Sequence, residues 1–168
     1  MPIDNESVDG GISKAGKNHR SSRGFRFVPE ENGMERETII DDDDASLFLY
    51  PAIGTVYHII KRNIEGEKLR NLMAKAAEAF VANKCTKYLS DDRKIMSFKP
   101  EDLMWALENW EKVLIPAGWK HWALIMPGKV LGRVMAKKLA ARYIDQHIDV
   151  RIFTDEASAL EWLTGIRD

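Results

Sequence analysis

The sequence holds a single cysteine, Cys85, in 168 residues, so no intramolecular disulfide and no thiolate-rich metal cluster can form within it. Nor does it carry an excess of one charge. Its 25 Lys+Arg and 26 Asp+Glu leave a net charge of −1. Without a global basic field, the chain is not expected to hold a polyphosphate backbone, and nucleic acid is not an expected partner. Long apolar runs are missing too. Stretches such as Trp122 to Pro127 fall far short of the roughly 20 residues that a membrane span needs. The opening, Met1 to Gly11, is polar and acidic rather than basic and then apolar, which is not the pattern of a secretory signal. By elimination the expected location is cytoplasmic.

What remains is an ordinary globular composition, 45% hydrophobic and 30% charged, which fits one domain. Residues Met1 to about Glu37 are rich in Gly, Ser, Asn and charge, with Phe25, Phe27 and Val28 nearly the only large apolar groups. Such a segment buries too little surface to offset its ordering entropy, so residues 1–37 are expected to form a disordered tail. Its Lys14, Lys17, Arg20, Arg23 and Arg26 are loosely spaced and flanked by acids, the pattern of a solubilising stretch. Asp41 to Asp44 lack the alternating ligands and closing Glu of a calcium loop, and no metal site is expected there.

From Ala45 onward the pattern is regular. Leu47 to Tyr50 and Thr55 to Ile60 are β-type runs joined by the turn residues Pro51-Ala52-Ile53-Gly54, a hairpin. Leu69, Leu72, Met73, Ala76, Phe80 and Val81 recur at helical spacing. Lys87 to Asp91 reads as a third strand, and a helix opens at Pro100 with the face Leu103, Ala106, Leu107, Trp110, Val113 and Leu114. Trp119 to Met126 contains a fourth strand. A helix over about Lys129 to His147 turns Leu131, Val134, Met135, Leu139 and Tyr143 inward, and Val150 to Phe153 is a fifth strand. A final helix, capped by Thr154 or Asp155, buries Ala159, Trp162, Leu163 and Ile166. The expected class is α/β: an N-terminal hairpin, then β-α repeats in a mixed, mostly parallel five-stranded sheet with about four helices, over residues 45–168.

Thr55-Val56-Tyr57-His58, Glu65-Gly66-Glu67, Tyr88-Leu89-Ser90-Asp91-Asp92-Arg93, Ala117-Gly118-Trp119-Lys120 with Trp122-Ala123, and Val150 to Glu156 with Ala159-Leu160-Glu161-Trp162-Leu163 follow one another in order. Together they resemble the SpoIIAA-like group of STAS domains, in the branch common among uncharacterised bacterial proteins. The resemblance covers about Ala45 to the C-terminus. It implies a β-α superhelix with a mixed sheet and a non-catalytic role in binding a protein partner or small ligand. In the sporulation antagonists of that group, a Ser after the third strand, in an Asp-Ser-Ser/Ala-Gly pattern, is phosphorylated. Here the corresponding residues are Ser90-Asp91-Asp92-Arg93, so that motif is missing, and Ser90 and Ser97 are only positional stand-ins.

Ligands of open α/β sheets sit outside the carboxyl ends of the strands. Three loops meet that description: Ser90-Asp91-Asp92-Arg93-Lys94, Pro127-Gly128-Lys129 and Thr154-Asp155-Glu156. The expected binding rim is therefore Ser90, Asp91, Asp92, Arg93, Lys129 and Asp155. Asp91 and Asp92 could hold magnesium in an enzyme, although neighbours on an extended loop point apart and Arg93 stands ready to pair with either. Pro127-Gly128-Lys129 lacks the spacing of a nucleotide cradle. His58, His121 and His147 are scattered, and no His or basic cluster is evident around Cys85, so no catalytic residue is expected. Trp105 falls off the stripe of its helix beside Met104, a candidate interface for a protein partner or for a homodimer. Trp119, Trp122 and Tyr143 are candidates for lining a pocket. Three functional readings follow: a regulatory protein-binding module without cofactor, a carrier of a small apolar ligand akin to SEC14-type lipid-binding domains, and a magnesium-dependent enzyme.

Overall fold

The computed structural model describes residues 27–29, 33–126 and 130–167. Among these residues seven strands form one sheet in strictly sequential order: β1 (Phe27–Pro29), β2 (Glu35–Asp41), β3 (Ala45–Tyr50), β4 (Thr55–Ile60), β5 (Lys87–Asp91), β6 (His121–Ile125) and β7 (Asp149–Phe153). The pairs from β1 to β4 are antiparallel and those from β4 to β7 are parallel. The class is α/β with a mixed sheet, as expected. The sheet is wider than the expected five strands, and it is parallel in only half of its pairings.

The additional strands come from the start of the chain. β1 and the first residues of β2 fall within the segment expected to be a disordered tail. The β2 sequence Glu-Arg-Glu-Thr-Ile-Ile-Asp is mostly polar because it lies near the margin of the sheet, where its side chains are only partly covered. Arg36 stays in the strand by laying its guanidinium 4.0 Å from the centre of the Phe48 ring. The acidic run is the β2–β3 connection rather than a lead-in to the first strand. Asp42 Oδ1 accepts from the backbone N–H of Asp44 and Ala45, Asp41 accepts from Ser46 and Lys61, and Asp44 pairs with Arg62 and Lys68.

Helix α1 (Glu67–Ala82) crosses from β4 to β5. A second helical stretch crosses from β5 to β6 and is continuous but irregular: α2 (Pro100–Trp105), a π-helix (Ala106–Glu111) and α3 (Lys112–Leu114). Then come α4 (Val130–Asp145) and α5 (Glu156–Gly165). The wider turn of the π-helix changes the phase of the face. Trp110 and Leu114 are buried, whereas Val113, expected inward, is 42% exposed. Val81 and Val134, also expected inward, are exposed.

Alternation along the strands divides the core in two. On one face Leu47, Leu49, Val56, Tyr88 and Trp122 pack with α1, Trp110 of the π-helix and Tyr143 of α4. On the other, Phe48, Tyr50, Tyr57, Leu89 and Ile125 pack against Ala159, Leu160 and Leu163 of α5. Sequential parallel strands whose crossover helices share one face are what consecutive crossovers of one hand produce. Asp155 caps α5, accepting from the Ser158 backbone N–H at 2.9 Å.

Candidate functional site

Two residues per repeat place every second side chain of β5 on the same face. Tyr88 and Ser90 therefore point toward α1 and the π-helix, as does Asp92 just past the strand end, while Leu89 and Asp91 point toward α5. The parallel register sets His58 of β4 beside Ser90. The result is a buried chain of polar groups: Tyr88 Oη lies 2.8 Å from His58 Nδ1, and His58 Nε2 lies 2.8 Å from Asp92 Oδ1. Burial, reinforced by the Asp92 charge, holds the Tyr88 phenol well above its ordinary pKa. The phenol therefore keeps its proton and lies within hydrogen-bond distance of Nδ1. The carboxylate can only accept, so Nε2 donates to Asp92 Oδ1. Alongside, Trp122 Nε1–H donates to Ser90 Oγ at 2.9 Å.

Tyr88, His58 and Asp92 form one wall of a cavity of about 60 Å³. Ile95 and Phe98 of the β5–α2 loop, Leu69 and Met73 of α1, Leu103, Ala106, Leu107 and Trp110 of the α2/π segment, and Trp122 and Tyr143 supply the rest, with Asp102 also on the lining. The aromatic part is dense: Trp119 meets Trp110 edge-on and Tyr143 at a tilt, at ring-centre distances of 4.9 Å each, and Trp122 meets Tyr143 edge-on at 5.1 Å. Asp102 is buried and satisfied. Oδ2 accepts from the Gly66 backbone N–H at 2.8 Å, and Oδ1 accepts from Arg70 Nε at 2.9 Å. Gly66 has φ +60, ψ −132, a conformation that a side chain would strain, so the residue leading into α1 is one that frees its N–H for Asp102. Asp92 differs. Its Oδ1 takes the histidine proton, and its Oδ2 has no donor among the described residues.

The expected rim residues divide between the two faces. Asp91 faces the α5 side and forms a bidentate pair with Arg93, at 2.9 and 2.6 Å, while Asp92 turns the other way to His58, so the two carboxylates do not form a shared metal site. Asp155 stands near Arg93. Its carboxyl is held below the ordinary value first by the Ser158 backbone N–H, then by the Ser158 and Thr154 hydroxyls, with a smaller contribution from Arg93. Ser90 is fully buried and its hydroxyl is engaged by Trp122, so it is not open to modification, whereas Ser97 is exposed. Lys129 lies outside the described residues. Of the pocket candidates, Trp122 and Tyr143 line the cavity, but Trp119 backs them as packing. Met104 is 54% exposed; Trp105 is partly buried against the core and lines a shallow groove with Ala77, Val81 and Val113.

His58 is the residue that linear spacing hid. The acid it needs is 34 positions away and becomes adjacent only through the β4–β5 register. The alternation Tyr88, Ser90, Asp92 along one strand was the available signal. His58 and His121 do not approach each other, since His121 packs against Trp162 on the α5 side. Among the described residues no group of His, Cys, Asp or Glu has the arrangement of a metal site, and no helix is long and apolar enough to cross a membrane.

Fold and site together define an α/β protein with a mixed sequential sheet and an aromatic cavity that contains a buried Tyr-His-Asp chain. No family model, no curated protein and no solved structure matches the chain.

Proposed function

We propose that the chain is a non-catalytic binding module of the SpoIIAA-like kind, whose ligand is a small molecule seated in the cavity beneath the π-helix. The observation that carries this reading is Asp92 Oδ2. It is a carboxylate oxygen on a side chain only 9% exposed, without a donor among the described residues, on the wall of a largely apolar cavity. A carboxylate oxygen that receives no protein hydrogen bond, at the wall of an apolar cavity, is open to a donor that enters the space. The π-helix over the same cavity supports the reading, because such irregular turns recur at functional sites. The sequential β-α order agrees with the superhelix implied by the resemblance. A volume of about 60 Å³ favours a compact ligand over the lipid of a SEC14-type carrier, which needs several hundred cubic ångströms.

The test is steric. Leu103 lines the cavity and is only partly buried, so Leu103→Trp fills the space from the helix side without touching a charge. In a thermal-shift screen of small molecules, compounds that raise the Tm of the wild type should leave Leu103→Trp unmoved. Equal stabilisation of both proteins contradicts the assignment.

A second reading, a protein-binding face, is favoured by the groove between α1 and the π-helix, where Val81 and Val113 are exposed beside Trp105. Met104 stands exposed on the adjoining turn. If that face pairs two copies of the chain, the mass in solution rises with concentration and Val113→Asp returns it to the monomer.

A further inference from the structure

We infer that the ligand of the cavity is a small organic cation, a protonated amine on a short apolar body, anchored by the free oxygen of Asp92. The inference rests on the cavity being the ligand site and adds the chemical class. It follows from the charges that face the space. Among the described residues no Lys or Arg lines the cavity; its ionisable neighbours are His58 from β4, Asp92 after β5, Asp102 from α2, and the phenols of Tyr88 and Tyr143. Arg70, from α1, is committed to Asp102, and Arg93 is turned away to Asp91 on the opposite face of the sheet. His58 sits between the two groups, with Nδ1 against the Tyr88 hydroxyl and Nε2 against Asp92 Oδ1, so it engages one carboxylate oxygen and leaves Oδ2 open. Asp102 is thus balanced by Arg70, while Asp92 has His58 on one oxygen and no Lys or Arg partner among the described residues.

An entering ammonium would bring both a positive charge and donors to Oδ2, a charge-assisted contact stronger than a neutral one. The rings of Trp110, Trp122 and Tyr143 on the same lining present faces and edges suited to an apolar body, and aromatic faces attract a cation. An anion of the same shape would meet the Asp92 carboxylate without a basic partner. The volume, about 60 Å³, keeps the body short.

The experiment uses the full chain and three four-carbon probes of different charge, n-butylammonium, n-butanol and butyrate. Binding is followed by the indole N–H resonance of Trp122, which sits at the cavity wall and is pinned to Ser90. Butylammonium should shift that resonance and bind at least tenfold more tightly than butanol, and butyrate should leave it in place. Asp92→Asn keeps an oxygen for His58 and so preserves the fold, which the unchanged remaining indole resonances would verify. It should reduce butylammonium affinity at least tenfold while leaving butanol unaffected. Butanol binding as tightly as butylammonium, or undiminished amine binding by Asp92→Asn, overturns the cation assignment while the cavity stands as a site. Failure of all three probes to move the Trp122 resonance overturns the cavity reading as well.

Discussion

His58 carries the central arrangement, and each of its two ring nitrogens has one partner at 2.8 Å. Removing only the phenol oxygen, in Tyr88→Phe, leaves the packing of the ring in place and strands Nδ1 without its partner. An unpaired buried polar group costs about 1–3 kcal/mol. Chemical denaturation should show that loss with an unchanged m-value, and full retention of stability would mean that the Tyr88–His58 bond contributes nothing. A different residue controls acid behaviour at the surface. Asp155 titrates below its ordinary value of 3.8 because the folded state donates to its carboxylate from Ser158. A depressed carboxyl stabilises the fold above its unfolded pKa, and that contribution disappears as pH falls through the lower folded value. Asp155→Asn should therefore weaken the wild-type advantage at neutral pH and flatten the stability profile below about pH 4. A parallel profile for both proteins would show that the cap is not formed in solution.

At the scale of elements, what was legible in the sequence depended on local period. Thr55–Ile60 and Lys87–Asp91 are strands over the residues that their apolar runs and turn residues predict, and α1 occupies its amphipathic stretch. β2 was hidden because a strand near the sheet margin can keep charges such as Glu35 and Glu37, and its identity depends on pairing with β3. The π-helix was hidden for another reason: a regular 3.6 period places Trp110, Val113 and Leu114 on one face, and nothing in that pattern marks the wider turn, in which Trp110 and Leu114 are buried and Val113 is exposed. That turn is testable. Glu108 is exposed within the π-helix, and its deletion should return the segment to regular α geometry. The expected outcome is a folded protein whose α2 and α3 remain helical by NMR and whose cavity no longer binds, since Ala106, Leu107 and Trp110 are re-aimed. Undiminished ligand binding by this variant would separate the π-helix from the site.

The whole molecule is a sheet with unequal faces: α1, the α2–π–α3 stretch and α4 contribute to one core cluster, and α5 supplies the other. The aromatic residues sit mainly in the first cluster, which is where the cavity lies. The candidate site was legible only in pieces. Asp92, Trp122 and Tyr143 could be proposed from the loop and strand they occupy, but His58 and Asp102 join them through a register and a helix crossing that linear spacing does not encode. The rim expected at the strand ends is likewise two separate arrangements, Asp91–Arg93 near Asp155 on the α5 side and Asp92–His58 on the other. The central claim is that this second arrangement holds a small ligand. Native mass spectrometry of the protein as purified from cells tests it most directly. The account predicts a small bound mass that denaturation releases and that Leu103→Trp lacks. A wild-type protein that flies at its bare polypeptide mass, and gains nothing when amines are added, contradicts it.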